Sequence, residues 1–308
     1  MILSVCPNPS IDTYAWLENF HQGEVNRIER VEEFPGGKGV HVALALAELG
    51  SNSKLMGAWA GGAGEWIRTQ CSQKNVSSIG VDLEGNNRKC YTFRSGNTLF
   101  NNSELLEPGP EFTSQKWDSF LKVFRKVLKE TQLICMSGSW PVNSPGNAYS
   151  QLIEAGKHRN IRTILDCTGT QLKEALKKGF FGLHLNQQEA KKLCGSEDIQ
   201  DLLKSLDGRV ELVALTKGKE GLVLACQDRI LTAKVKIDKV ISTVGSGDCL
   251  TAGIAYGISR DLSLEEIAAY GVACGAANCL FEDLGQLRKN DVEKLLPKVE
   301  VKEIIHEA

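Results

Sequence analysis

The chain lacks any run of about 18 apolar residues, so no membrane-spanning helix is predicted. It also lacks an excess of charge. Thirty-six Lys and Arg stand against 38 Asp and Glu, a formal net charge of -2. That balance gives no sign of a nucleic-acid or anionic-membrane partner, and neither is expected. Its ten cysteines include no Cys-x-x-Cys pair and no Cys/His cluster of zinc spacing. Cys135, Cys167 and Cys226 lie in or at the end of apolar runs. The thiols are therefore read as free and mostly buried, in a reducing cytoplasm. The opening Met1-Ile2-Leu3-Ser4-Val5 has neither a basic stretch nor a long apolar one, so no signal peptide is expected. There is no low-complexity linker and no internal repeat.

What is present is a chain of 308 residues, 42% hydrophobic and 24% charged, long enough for one large α/β domain or two smaller ones. Short apolar runs at 2–5, 133–136, 163–165, 183–185 and 212–215 read as buried strands. Amphipathic stretches at 117–130, 148–158, 187–193 and 198–206 read as helices between them. Strand and helix alternating at this spacing predict a mostly parallel sheet covered on both faces. Such sheets take ligands beyond the carboxyl ends of their strands. Two polar, alternating segments, 12–34 and 88–107, break the rhythm and lack helices. They are expected to form a small antiparallel sheet that projects as a lid, or else two unrelated hairpins. The core is then 1–11, 35–87 and 108–308. The last third is helical, over 247–259 and 264–280, and dense in small residues that allow close helix packing.

The most informative stretch is Gly245-Ser246-Gly247-Asp248, a glycine turn entering a helix. Glycines let several N–H groups converge on an anion, and the helix N-terminus adds partial positive charge. Asp248 beside that hole is placed to orient a hydroxyl and take its proton, which points to phosphoryl transfer. The alternative is a plain helix-start carboxylate. A second glycine turn, Pro35-Gly36-Gly37-Lys38-Gly39, also opens a helix. Asn8-Pro9-Ser10-Ile11-Asp12 puts an acid near the end of the first strand. Asn186-Gln187-Gln188-Glu189 and Thr216-Lys217-Gly218-Lys219-Glu220-Gly221 each follow a strand.

In their order and spacing these motifs resemble the ribokinase-like sugar kinases, also called the phosphofructokinase B family, nearly end to end. Gly23-Glu24-Val25-Asn26-Arg27, the second glycine turn and Glu107-Pro108-Gly109-Pro110 are similar to the branch of 1-phosphofructokinase and tagatose-6-phosphate kinase. The resemblance implies a ribokinase-like three-layer αβα sandwich, with a mostly parallel central sheet and a small β-sheet lid. It implies ATP and Mg2+, and a substrate sugar that already carries a phosphate. Fructose 1-phosphate going to fructose 1,6-bisphosphate is the first expectation. Tagatose 6-phosphate, fructose 6-phosphate and neutral sugars follow, and a non-catalytic sugar-phosphate sensor is the reading from a different class. Lids that meet imply a homodimer.

Residue by residue, the resemblance makes Asp248 the base, with a pKa expected to be depressed by the helix N-terminus. Gly245, Ser246 and Gly247 become the anion hole. Asp12, Gly36, Gly37 and Lys38 become sugar-binding groups. Arg88 grips the sugar phosphate, with Arg27 a second candidate. Asn186 and Glu189 help to hold magnesium, largely through water. Thr216, Gly218 and Gly221 face the nucleotide, and Asn278 lies near adenine or is structural. Two departures stand out. His41 occupies the place of the family asparagine, and Ser242 that of an acid or amide. Imidazole is larger than a carboxamide and titrates near neutral pH.

Overall fold

A computed structural model describes residues 1–282 and 284–304. In chain order the elements are β1 (Ile2–Cys6), β2 (Ser10–Trp16), β3 (Arg30–Gly36), α1 (Lys38–Glu48), β4 (Ser53–Ala60), α2 (Gly61–Gln73), β5 (Ser77–Leu83), β6 (Arg88–Arg94), β7 (Glu104–Leu106), α3 (Ser114–Val127), β8 (Leu133–Ser137), α4 (Ala148–Lys157), β9 (Arg162–Asp166), α5 (Gly169–Leu176), β10 (Phe180–Asn186), α6 (Gln187–Cys194), α7 (Ile199–Leu206), β11 (Val210–Thr216), β12 (Leu222–Cys226), β13 (Arg229–Lys234), α8 (Ser246–Ser259), α9 (Leu264–Asn278), α10 (Lys289–Leu295) and β14 (Glu300–Glu303).

Ten strands form one sheet in the order β14-β13-β12-β11-β10-β9-β8-β1-β4-β5. From β11 to β5 every neighbouring pair is parallel, and β12, β13 and β14 extend the sheet antiparallel. Alternation along the strands sends side chains to two cores. Leu183 and Leu185 of β10 join Phe120 and Phe124 of α3, Tyr149 and Leu152 of α4 and Leu202 of α7 on one face. Ile164 and Leu212 join Val42 and Leu46 of α1, Ala252 and Ala255 of α8 and Ala273 of α9 on the other. By the same parity His184 of β10 turns to the second face, where its Nδ1 lies 3.2 Å from the Thr251 hydroxyl of α8.

The four remaining strands form a separate sheet in the order β3-β2-β6-β7. The expectation of an antiparallel sheet is corrected here. Each hairpin is antiparallel, but β2 and β6 pair in parallel, Ser10 opposite Arg88. The reason is topological: β2 follows β1 and β6 follows β5, both of which are parallel members of the main sheet. Both chains leave its carboxyl end in the same direction. All ten cysteines are free, and only Cys194 and Cys226 are not fully buried. Among the described residues no helix is long and apolar enough to cross a membrane.

Candidate active site

The carboxyl ends of the parallel strands open into a cavity of about 1120 Å³. Cys6 ends β1, Asp166 ends β9, Asn186 ends β10 and Thr216 ends β11, and all four line it. The small sheet supplies another wall through Asp12, Arg88, Cys90, Thr92, Glu104 and Leu106. Most residues singled out in the sequence converge here: Asp12, Gly37, Lys38, His41, Arg88, Asn186, Glu189, Thr216, Gly218, Gly221, Gly245, Ser246, Gly247 and Asp248. Gly36 sits just behind the wall, where a Cβ would lie 2.1 Å from the Asp12 Cγ. Two residues do not join them. Arg27 is exposed between β2 and β3 and does not line the cavity. Asn278 is buried at the end of α9, and its amide donates to the Gln286 carbonyl at 2.8 Å.

Helix α8 begins at the cavity. Gly245, its N-cap, has φ +82. A Cβ there would lie 2.4 Å from Gly285 Cα, so both the backbone conformation and the space call for glycine. The first-turn N–H groups of a helix have no intrahelical carbonyl to meet. Those of Gly247 and Asp248 therefore offer donors and partial positive charge at the cavity wall. Asp248, in the same turn, is buried.

Its nearest partner is His41, on the first turn of α1. His41 Nδ1 lies 2.7 Å from Asp248 Oδ2, and Nε2 lies 3.3 Å from Asp12 Oδ2 without hydrogen-bond alignment. Asp12 also accepts from the Ser10 hydroxyl at 2.6 Å and the Gly37 N–H at 3.4 Å. Burial opposes ionisation of Asp12, but His41, Ser10 and Gly37 together outweigh it and hold the carboxyl below its usual value. Burial also opposes a charged His41, yet its two carboxylate neighbours raise its pKa to about 10. Asp248 behaves differently. Burial raises its carboxyl more than His41 and Lys38 lower it. The depressed value expected from the helix N-terminus is thereby corrected: loss of solvent outweighs the lowering by His41 and Lys38.

Lys38 is engaged as well. Its Nζ donates to Asp166 Oδ1 at 2.6 Å and lies 3.8 Å from Glu189 Oε1. Burial would lower its pKa, but the charges of Asp166, Asp248 and Glu189 raise it well above the ordinary lysine value. Asp166 in turn faces His184 Nδ1 at 2.9 Å. Burial pushes the Asp166 carboxyl up, and Lys38 and His184 bring it far below the usual range. Asn186 and Glu189 close a capping box on α6: the Asn186 side-chain Oδ1 accepts the Glu189 N–H and Glu189 Oε2 accepts the Asn186 N–H, both at 2.9 Å. Arg88 donates its Nε to the Asn8 carbonyl at 3.2 Å. Its two terminal amino groups make no hydrogen bond or ion pair to the described residues. At the far end Val235, Ile237, Val240, Val272, Ala276 and Cys279 give the cavity an apolar wall.

Sequence reasoning missed Asp166, His184 and the buried Tyr14–Ser242 hydrogen bond of 2.9 Å, which ties the small sheet to the loop before α8. A signal existed for the first two. Asp166 ends an apolar run at 163–165, and His184 interrupts one at 183–185. Nothing local announces that Tyr14 meets Ser242.

The family model for pfkB family carbohydrate kinases matches residues 8–285. A 1-phosphofructokinase of Bacillus subtilis (strain 168) is 30% identical over 307 residues, 98% of this chain and 99% of that protein. The tetrameric inhibited form of phosphofructokinase-2 from Escherichia coli has a TM-score of 0.86 at 23% identity, over 96% of this chain and 98% of that one. Arabidopsis thaliana ribokinase, complexed with ribose and ATP, has a TM-score of 0.79 at 18% identity over the same shares.

Proposed function

Because the chain belongs to the pfkB family of carbohydrate kinases, ATP-dependent enzymes on sugars, we propose that it phosphorylates a sugar phosphate, with fructose 1-phosphate going to fructose 1,6-bisphosphate. The observation that carries this reading is one cavity holding both Arg88, with its terminal amino groups uncommitted, and Asp248 at the mouth of α8. A guanidinium at the small-sheet wall grips the phosphate the sugar already bears. Asp12 accepts from sugar hydroxyls. The hydroxyl to be phosphorylated then lies at Asp248, which takes its proton as the new O–P bond forms and the bond to ADP breaks. The N–H groups at the start of α8 meet the charge on the moving phosphoryl group, already oriented and out of bulk water.

The nucleotide occupies the side lined by Thr216, Gly218 and Gly221, with its base against the apolar wall. The acidic groups present fit a magnesium ion held chiefly by phosphates and water. After the capping box takes Glu189 Oε2, Oε1 is the carboxylate oxygen left on that side. Such an ion would neutralise phosphate charge. Among the described residues no cluster of three or more His, Cys, Asp or Glu could hold a metal by itself.

The small sheet acts as the lid of this site and as the contact of a homodimer. Exposed residues of the sheet and its connecting loops include Val25 (85% exposed), Leu99 (91%) and Leu105 (58%), more apolar surface than a solvated hairpin needs. Light scattering that gives a monomer at micromolar concentration would reject the dimer. The reaction is tested by ADP release from Mg-ATP with fructose 1-phosphate, fructose 6-phosphate, tagatose 6-phosphate, fructose and ribose. Turnover that needs a phosphorylated sugar, and is fastest with fructose 1-phosphate, supports the reading. Turnover only with a neutral sugar removes Arg88 from the phosphate site. ATP binding with no turnover across the panel favours a sensor.

A further inference from the structure

Both ring nitrogens of His41 face carboxylate oxygens, Nδ1 toward Asp248 and Nε2 toward Asp12. A neutral imidazole has one N–H and one lone pair. Whichever nitrogen carried the lone pair would set it against an anionic oxygen. Only the imidazolium carries a hydrogen on both nitrogens, hydrogen-bonded to Asp248 through Nδ1 and set as a charge contact, off the hydrogen-bond line, beside Asp12. The ring is also held in a fitted slot. Gly285 packs on it so closely that a Cβ there would lie 2.0 Å from the His41 Cγ and 2.3 Å from Cδ2. Among the described residues the titratable groups facing the ring are Asp12 on β2 and Asp248 on α8. Lys38, one turn back on α1, adds its charge to Asp248, and Gly285 packs on the ring through its backbone.

We propose that His41 is a positioning residue: a fixed imidazolium bridging the sugar-binding acid Asp12 and the base Asp248. The proposal rests on the kinase reading above. It assigns the two oxygens of Asp248 different tasks. Oδ2 is taken by the imidazole, so Oδ1 receives the hydroxyl proton. That oxygen makes no other hydrogen bond to the described residues. The cation between the two acids also keeps Asp248 ionised at a lower pH than burial alone would allow. An asparagine at this place would keep one donor and lose the charge. A charged bridge, unlike a carboxamide one, shows itself in the pH dependence of the reaction.

The test has two parts. In the ligand-free protein labelled at histidine, the His41 ring resonances, assigned by their loss in His41→Asn, are expected to report an imidazolium at pH 8, where an ordinary histidine is neutral. In kinetics, the acid limb of kcat/KM is expected to move up by at least one pH unit in His41→Asn, with kcat reduced more than KM is changed. Should that variant not fold, His41→Gln is read in the same way. A ring that is neutral at pH 8 overturns the proposal. So does a variant profile that superimposes on the wild type, because a space-filling ring would alter stability and leave the profile in place. If the wild-type protein turns over no sugar, the kinase reading fails, while the resonances still decide the charge on His41.

Discussion

Replacing Gly285 by alanine probes the slot that holds His41. Gly285 has φ +62. An alanine there incurs the cost of a left-handed backbone, about 1 kcal/mol. Its Cβ must also find room where His41 Cγ would be 2.0 Å away and His41 Cβ 2.6 Å away. The ring cannot yield without leaving Asp248, and Gly285 itself packs on Gly245 at the start of α8. Overpacking of this kind costs roughly 1–3 kcal/mol, so Gly285→Ala is expected to lose about 2–4 kcal/mol in all. Gly208 provides the matched control. It has φ +67, and a Cβ there meets nothing within 4 Å. Gly208→Ala therefore carries the backbone cost alone. Urea unfolding of both variants separates backbone strain from overpacking. Steady-state kinetics then show whether pushing the ring away from Asp248 lowers kcat, which Gly208→Ala should leave unchanged. Equal destabilisation of the two variants, or wild-type kcat in Gly285→Ala, would refute the idea that this glycine holds the ring.

Asp248→Asn is expected to cut kcat by about 10²–10⁴-fold, the range for loss of a general base, while sugar binding measured by calorimetry persists; unchanged turnover would remove Asp248 as the base. Arg88→Ala should raise KM for the phosphorylated sugar by about 10–100-fold, the worth of a charge-assisted hydrogen bond of roughly 1.5–3 kcal/mol, with little change for an unphosphorylated one. Equal losses on both would assign Arg88 a structural role. Stability should also depend on pH at both ends. His41 has its pKa raised from 6.5 to about 10, so its contribution is full below pH 6.5 and is lost as pH rises toward 10. Asp12, with a depressed value, contributes above the ordinary aspartate pKa and loses that contribution as the solution is acidified below it. Melting temperatures of wild type and His41→Asn should therefore diverge less at pH 10 than at pH 6; a constant gap would contradict the raised value.

Much of the site was legible because its parts are local. A glycine turn before a helix needs only a few consecutive residues, so Gly245 to Asp248 and Gly36 to Lys38 could be read as ligand-binding turns without knowing what surrounds them. The mostly parallel main sheet follows from apolar runs alternating with amphipathic stretches, since a strand buried on both faces must be apolar throughout. The small sheet was legible as two hairpins but not in its pairing, because the direction of β6 against β2 depends on where β1 and β5 sit in the main sheet. Arg27 belongs with the motif in sequence yet stands outside the cavity, because the β2–β3 turn carries it away.

The sequence by itself determined the fold class, the turns that open α1 and α8, and most of the acids and cations of the site, Asp166 and His184 excepted. These are properties of neighbours along the chain, where backbone freedom and periodicity act. The tertiary structure decided the partners and hence the charges. It set Lys38 against Asp166, and His41 between Asp12 and Asp248, residues far apart in sequence that only closure of the sheet brings within hydrogen-bond reach. It also reversed the expected shift of Asp248. The start of α8 is written in the sequence, but removal of water from that carboxylate depends on everything packed around it, and there the loss of solvent raises the carboxyl despite His41 and Lys38.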